Sequence, residues 1–164
     1  MKRKCEQCQK EFEPVQPHFR LCPDCFSSSW HKKDTLSELL LKSYYDLKNN
    51  LVKEVFIGVP ESLARVFARS RPSLKSTQLR DFYQKILKAR NKALLKDINA
   101  ARPILYECQR DAAYQVNRGV IPESFSQFLE HHIALAEKDE QSLEGFYQHV
   151  NSLVCYFPKE QKGG

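Results

Sequence analysis

The chain has 164 residues, of which 41% are hydrophobic and 28% are charged, and its formal net charge is +6. This length suits one ordinary domain with a small addition. No apolar run approaches the roughly 18 residues of a membrane span, and Met1-Lys-Arg-Lys-Cys5 has no apolar segment of the signal-peptide kind behind it. We therefore expect a cytoplasmic protein with no membrane partner. Its positive charge favours a polyanionic partner without requiring one.

The chain opens with two cysteine pairs, Cys5-Glu-Gln-Cys8 and Cys22-Pro-Asp-Cys25, separated by thirteen residues. Pairs of this form at this separation are typical of a segment that encloses one tetrahedral zinc ion. Nothing at the N-terminus favours the oxidising compartment in which disulfides form, and a catalytic dithiol needs only one pair. Because four cysteines leave no open coordination position, we predict a structural Zn2+ bound by Cys5, Cys8, Cys22 and Cys25.

The segment around these cysteines resembles a zinc ribbon, and we predict such a module with its linker over residues 1–29. The linker is Ser27-Ser-Ser29, and a hairpin with Pro14 and Pro17 at its tip fits the gap between the two pairs. About 25 residues cannot bury enough apolar surface to fold unaided. The metal must therefore supply the folding free energy, on the order of 10 kcal/mol.

Residues 34–158 follow helical patterns. Thr35-Leu-Ser-Glu38 has the form of a capping box, and it predicts a first helix of about five turns that ends at Gly58 and Pro60. This helix would carry two apolar stripes on opposite sides, which predicts a central helix or one covered by a partner. One stripe comprises Leu36, Leu39, Leu40, Ser43, Tyr44, Leu47, Leu51 and Val55, and the other Leu41, Tyr45, Val52 and Phe56.

Two further helices follow. Pro60 begins a short helix, and Ser76 is predicted to cap a long one that runs from Thr77 to about Ala100. The long helix has an apolar arc at helical spacing, which we expect to face the core. This arc comprises Leu79, Phe82, Tyr83, Ile86, Leu87, Leu94 and Ile98.

The last three helices are delimited by turn and capping residues. Pro103 is expected to break or kink the chain, after which helix resumes until Asn117-Arg-Gly119. The apolar positions predicted for this helix are Ile104, Leu105, Tyr106, Cys108, Ala112 and Tyr114. Pro122 starts the next helix and Asp139 caps the last one, in which Phe146 lies on an apolar face that is predicted to enter the core. Short connections favour antiparallel neighbours, so the sequence predicts an all-α fold, a compact bundle of about five to six helices, followed by a disordered tail over residues 159–164.

The helical part shows no catalytic motif, neither H-E-x-x-H nor a glycine-rich phosphate loop. The neighbours His131 and His132 point about 100 degrees apart on a helix, and His132 falls on an apolar arc, where a hydrogen-bonded core histidine is expected. Cys108 and Cys155 are interpreted as small hydrophobic residues. We predict that the protein is not an enzyme.

Cations collect on and before the long helix. Lysines on one side of a helix most commonly form a solvated face. On the long helix, only Asp81 interrupts the basic face, and Arg80 lies at the border between this face and the apolar arc. A helix N-terminus flanked by cations suits backbone phosphates, so the pattern favours polyanion binding. The face comprises Lys85, Lys88, Lys92 and Lys96, and the preceding turn adds Arg69, Arg71 and Lys75.

Ser76-Thr-Gln-Leu-Arg-Asp-Phe-Tyr83, followed by Ile86, resembles the signature of the small α-helical subunit of the type III-A CRISPR interference (Csm) complex. Pro103-x-Leu105-Tyr106 with Arg110 resembles the next motif of that family. The run from Gly145 to Phe157 is similar to its closing helix.

The resemblance covers about residues 34–158 and leaves the role of the cysteine segment open. It implies a non-catalytic subunit that stacks with like subunits along the crRNA backbone, beside other subunits of the effector complex. Contact with crRNA and target RNA would be to phosphates and sugars, because a complex that accepts any guide cannot read sequence. Arg80 and, more weakly, Arg110 carry over from the motifs. The full predicted RNA-binding set is Arg69, Arg71, Lys75, Arg80, Lys88, Lys92 and Arg110.

Two other functions remain open on the residues. One is a zinc-ribbon regulator that binds nucleic acid through the ribbon and dimerises through the bundle, which Lys2-Arg-Lys4, Lys10 and Arg20 support. The other is a protein–protein adaptor whose ribbon and basic face do not contact RNA.

Overall fold

The computed structural model describes residues 2–6, 8–14, 20, 22–24 and 35–158. The chain divides into two compact units, residues 1–34 and residues 35–164. The predicted linker Ser27-Ser-Ser29 and the predicted tail over residues 159–164 lie outside the described residues.

The N-terminal unit contains a short antiparallel hairpin. Strand β1 (Arg3–Lys4) pairs with β2 (Glu11–Phe12), with Arg3 opposite Phe12 and Lys4 opposite Glu11. Between the strands, the Cys5 N–H donates to the Lys10 carbonyl over 2.9 Å. The first cysteine pair therefore lies in the turn of this hairpin. The hairpin predicted in the gap after that pair has Pro17 at its tip, which lies outside the described residues.

The second unit is helical, which confirms the predicted all-α fold. From residue 35 onward, the described chain forms α1 (Leu36–Leu39), a 3-10 helix (Lys53–Val55), α2 (Val59–Arg69), α3 (Ser76–Leu95), α4 (Ile98–Asn117), α5 (Glu123–Ala136) and α6 (Glu140–Tyr156). Helix α3 packs on α4 and α6, α5 packs on α4 and α6, and α2 packs on α6.

The predicted five-turn first helix is wrong, since only α1 forms and the chain then becomes irregular. Thr35 precedes α1, but its side chain makes no capping hydrogen bond. Downstream, Asp46 Oδ1 accepts the N–H groups of Lys48 and Asn50, each over 2.9 Å, and Asn49 has a φ of 66°. Short polar side chains that bond to nearby backbone in this way compete with helix formation.

Residues 40–55, which are irregular up to the 3-10 helix, form a strap that enters the core through Tyr44. Tyr44 is buried, and its hydroxyl shares a 2.5 Å hydrogen bond with His132 Nδ1, which confirms His132 as a core histidine. The ring passes over Gly145, where an added Cβ would lie 2.5 Å from the Tyr44 Cβ. The absence of a side chain at Gly145 therefore allows the strap to reach the core.

Two other histidines hold the same strap. His131 Nε2 donates to the Leu41 carbonyl over 2.7 Å, and His149 Nδ1 donates to the Val55 carbonyl over 2.9 Å. Leu41 and Tyr45, predicted on an outer stripe, pack half-buried against the core instead. The prediction of a second apolar helix face is therefore wrong.

Acidification is expected to destabilise the helical unit through the two buried histidines. Burial lowers the pKa of His132 well below 6.5 and, despite the hydrogen bond to Val55, lowers that of His149 to about 4. The unfolded chain then binds more protons, so stability present above about pH 6.5 is lost as the pH falls toward about 4. Between about pH 7 and about pH 5, the titration of His149 alone should lower the free energy of unfolding by about 2 kcal/mol.

Denaturant unfolding at both pH values measures this loss. His149→Asn keeps an N–H donor near the Nδ1 position but cannot titrate, so its stability should depend less on pH than that of the parent. A parent whose unfolding free energy is unchanged between the two pH values would contradict the burial of neutral histidines.

The core is centred on phenylalanines from four helices. Phe67, Phe82, Phe125, Phe128 and Phe146 are all fully buried. The rings of Phe67 and Phe82 each meet Phe125 edge-on, with centroids 5.2 and 5.3 Å apart. The predicted core positions Phe82 and Phe146 are thus confirmed.

The outer positions of the predicted α3 arc behave differently. Tyr83 is only half-buried, and its hydroxyl lies 3.2 Å from that of Tyr147. Leu94 is 63% exposed, which contradicts its assignment to the inner arc, and the buried positions near the end of α3 are Ala89 and Ala93.

The boundary between α3 and α4 also differs from the prediction. Helix α3 ends at Leu95, and Asp97 caps α4 by accepting the Ala100 N–H over 3.0 Å. Ile98 therefore begins α4, and Pro103 lies inside that helix. The interruption expected at Pro103 therefore occurs six residues earlier, at Asp97. The Asp97 side chain accepts a backbone N–H of the first helical turn, which has no partner within the helix.

The later boundaries agree with the sequence. Gly119, with a φ of 68°, follows the end of α4, and Pro122 immediately precedes α5. Asp139 accepts the Ser142 N–H over 2.6 Å at the start of α6. Within the described ranges, no helix is both long enough and apolar enough to span a bilayer.

Candidate metal centre and nucleic-acid interface

Three of the four predicted metal ligands lie together. The Sγ atoms of Cys5, Cys8 and Cys22 are all within 4.8 Å of one another, and those of Cys8 and Cys22 are 3.7 Å apart. Tetrahedral zinc with bonds of about 2.3 Å places its sulfurs about 3.8 Å apart, whereas a disulfide needs about 2.05 Å. These cysteines therefore lie close enough to bind a metal ion. Cys25 lies outside the described residues.

Backbone contacts orient the cluster. Cys5 and Cys22 are buried and Cys8 is exposed. The Cys22 N–H donates to Cys5 Sγ over 3.3 Å, and the Glu6 N–H donates to the Arg20 carbonyl over 3.1 Å. A backbone donor to a ligand sulfur stabilises its thiolate form, as groups around metal ligands commonly do.

The cysteines of the helical unit have a different character. Cys108 is fully buried, and desolvation raises the pKa of its thiol to about 12, so it packs as a small hydrophobic residue as predicted. Cys155 is exposed, and its interpretation as a packed hydrophobic residue is wrong.

Three predicted RNA-binding cations share the solvent-facing side of α3, opposite the buried Leu79 and Phe82. We call Arg80, Lys88 and Lys92 the α3 basic face. All three are exposed, and none of them forms an ion pair within the part of the chain that the structure describes. Their charges are therefore available to a ligand.

Three more predicted cations lie along the chain that leads into α3. Arg69 ends α2, Arg71 lies in the following loop and Lys75 is the residue that precedes α3, and all are exposed. The Lys75 N–H donates to Gln78 Oε1 over 2.9 Å. Lys75 therefore occupies the N-cap position that the sequence predicted for Ser76, and Ser76 is the first residue of the helix.

Lys85 does not belong to the basic face, contrary to prediction. Its Nζ lies 2.5 Å from Asp111 Oδ2 on α4 and 5.3 Å from the centroid of the Phe82 ring. The side chain is half-buried and connects α3 to α4. Lys85 lies at the edge of the contact between α3 and α4, which a helical wheel of α3 alone cannot show.

Arg110, the weaker member of the predicted set, lies on α4 rather than α3. Its side chain is 75% exposed, and its Nε is 3.9 Å from Asp111 Oδ1. Tyr106 and Tyr114, which we had counted among the apolar positions of this helix, are 49% and 61% exposed. Their regular spacing with Arg110 was the signal that the sequence interpretation missed.

A shallow groove of about 310 Å³ runs along the exposed side of α3. Aliphatic and basic side chains share it, and Leu95, together with the neighbouring Leu94, is largely exposed. The groove is lined by Gln84, Leu87, Lys88, Asn91, Lys92 and Leu95.

Comparison with known families adds the deciding observation, because residues 53–162 match the family model described as Csm2 type III-A. The chain belongs to the Csm2 type III-A family. No curated protein and no solved structure matches the chain. Csm2 membership implies a small subunit of a type III-A CRISPR effector complex. It also implies other subunits and crRNA as partners.

The Csm2 match clarifies the organisation of the chain. It begins at residue 53, later than the 34 that the motifs suggested, and it leaves out the cysteine cluster. Within it, the motif Ser76–Tyr83 opens α3, where Leu79 and Phe82 are buried and Arg80 faces solvent. The apolar residues of this segment thus build the core, and its arginine is exposed to solvent.

Proposed function

We propose that this Csm2 family member is a non-catalytic subunit that contacts guide and target RNA through the α3 basic face. The observation that carries the proposal is the alignment of Arg80, Lys88 and Lys92 on one side of a helix whose other side is core. At 1.5 Å per residue, this row extends about 18 Å from Arg80 to Lys92. Arg69, Arg71 and Lys75 extend the RNA-binding set along the chain that leads into α3.

Phosphates and sugars are the groups that this surface would bind. Lysine and arginine contacts to the backbone position a protein on RNA without reading its sequence, and an RNA-guided complex leaves sequence recognition to base pairing. A single subunit touches few phosphates, so we expect weak binding by the isolated chain and stronger binding where several copies repeat the contact.

We also propose that the chain associates with like subunits, through a different surface from the one that the sequence suggested. The apolar outer stripe expected on a long first helix does not exist. Leu94 and Leu95 are instead the large exposed apolar residues of α3, and they supply a surface suited to packing against a neighbouring subunit.

The cysteine cluster is proposed to bind one structural Zn2+ within a ribbon-like module of residues 1–29, with Cys25 as the fourth ligand. The spacing of the three described sulfurs supports a tetrahedral ion. The described cations of this unit are nearly balanced by acids, and Arg20 lies 3.6 Å from Glu6. The charge of this unit therefore supports nucleic-acid binding by the ribbon less strongly than the α3 basic face supports binding by the helical unit. The cations are Lys2, Arg3, Lys4, Lys10 and Arg20, and the acids Glu6, Glu11, Glu13 and Asp24.

Charge reversal tests the RNA contact. The double variant Arg80→Glu with Lys88→Glu should bind single-stranded RNA more weakly and with a shallower salt dependence. The log–log slope should fall by about 0.7 for each phosphate that the protein no longer neutralises. Fluorescence anisotropy across a salt series measures both quantities, and circular dichroism should show unchanged helicity.

A matched control makes the same change of charge elsewhere. Lys53 and Lys138 are exposed and lie off α3, so Lys53→Glu with Lys138→Glu should alter affinity only through net charge. If this control loses as much RNA binding as the α3 variant, the proposed interface is misplaced.

A further inference from the structure

Helix α4 carries a second surface with nucleic-acid chemistry. Tyr106, Arg110 and Tyr114 recur every four residues on α4, and Arg118, the residue that follows its end, continues this spacing with helical backbone angles. Such a spacing places side chains on one side of a helix. All four are exposed in the structure. We call these residues the α4 stripe.

The two tyrosine rings of the α4 stripe are oriented by neighbours. The Tyr106 hydroxyl donates a short hydrogen bond to Glu137 Oε2. The Arg118 guanidinium lies 5.6 Å from the centroid of the Tyr114 ring. Rings that are already positioned lose little conformational freedom when a ligand binds, yet both remain about half exposed to solvent.

The arginine between the rings keeps its charge available. Arg110 approaches Asp111 only at 3.9 Å, whereas Lys85 lies 2.5 Å from the other oxygen of the same carboxylate. Lys85 therefore offsets most of the Asp111 charge. The nearby Glu107 is exposed, and it forms no ion pair with Arg110 among the described residues.

We propose that the α4 stripe binds unpaired RNA by stacking bases on Tyr106 and Tyr114 while Arg110 and Arg118 contact the adjacent phosphates. Alternating aromatic rings and cations are how proteins hold single strands without sequence preference. A protein partner is less favoured because the stripe has no aliphatic anchor. The inference rests on the proposed RNA-contacting function and adds to it a surface that recognises bases.

The test compares two ligands that differ only in their bases. The full-length chain is titrated with an oligouridine of about 12 nucleotides, within the range of single-strand site sizes, and with an abasic oligoribonucleotide that has the same number of phosphates. Base stacking predicts that the parent binds the oligouridine at least about tenfold more tightly at equal ionic strength. Tyr106→Leu with Tyr114→Leu should abolish this preference and keep the salt slope.

Tyr156→Leu is the matched control, since Tyr156 is 40% exposed on α6, and it should keep the preference. Equal binding of both ligands with a normal salt slope would overturn the α4 stripe and leave the proposed function standing. Failure of the parent to bind either ligand at low ionic strength would overturn both. A double variant that keeps the preference, or that loses only assembly with a protein, would also overturn the proposal.

Discussion

Replacement of Cys22 by serine is expected to abolish metal binding and to unfold residues 1–26 while leaving the helical unit folded. Cys22 is buried within the sulfur cluster, and a segment this short depends on its metal for folding free energy on the order of 10 kcal/mol. The helical unit has its own phenylalanine core. Metal content by mass spectrometry and amide hydrogen exchange across the chain measure the two parts of this prediction.

Cys155→Ser supplies the control for the metal experiment. Cys155 is exposed on α6, so its replacement should change neither metal content nor stability. The two-unit account would be wrong if the parent, purified without chelator, contained no zinc, or if Cys22→Ser also unfolded the helices.

Phe82→Ala is expected to destabilise the helical unit by about 3–5 kcal/mol, a large part of the stability of a domain of this size. Phe82 is fully buried, meets Phe125 edge-on and lies under Lys85. Its removal leaves a cavity between α3 and α5 and uncovers the ion pair that joins α3 to α4. Denaturant unfolding at neutral pH measures the loss.

Leu95→Ala provides the comparison on the same helix. Leu95 is 82% exposed, so this change should stay within about 0.5 kcal/mol of the parent. If the two substitutions cost similar amounts, the orientation of α3 described above would be incorrect.

The boundaries set by proline, glycine and aspartate could be predicted because their effects are local. Pro60, Gly119, Pro122 and Asp139 each act within one turn of the residue itself, and the structure places helix ends beside all of them. The cysteine pairs were informative for the same reason, since the spacing within each pair reflects local ligand geometry.

The strap could not be predicted, because its conformation depends on partners distant in sequence. Leu41, Tyr44 and Val55 match a helical period, but their hydrogen bonds go to His131, His132 and His149, about 90 residues away. Tertiary contacts of this kind override a local periodic pattern.

The candidate RNA surface was partly accessible from the sequence. A helical wheel placed Arg80, Lys88 and Lys92 opposite the core correctly. The wheel could not show that Lys85 would meet Asp111 on the next helix. For α4, the tyrosines were counted as apolar, whereas an aromatic ring with a polar hydroxyl is equally suited to a half-exposed position.

The most direct test of the central claim compares Arg80→Glu with Lys88→Glu against Cys22→Ser, assayed for single-stranded RNA binding at the same ionic strength. The account predicts that the double charge reversal weakens RNA binding and flattens its salt dependence, while the cysteine variant binds as the parent does. Loss of RNA binding by the cysteine variant alone would contradict it. That result would assign nucleic-acid binding to the cysteine module and leave the helical unit as an assembly surface.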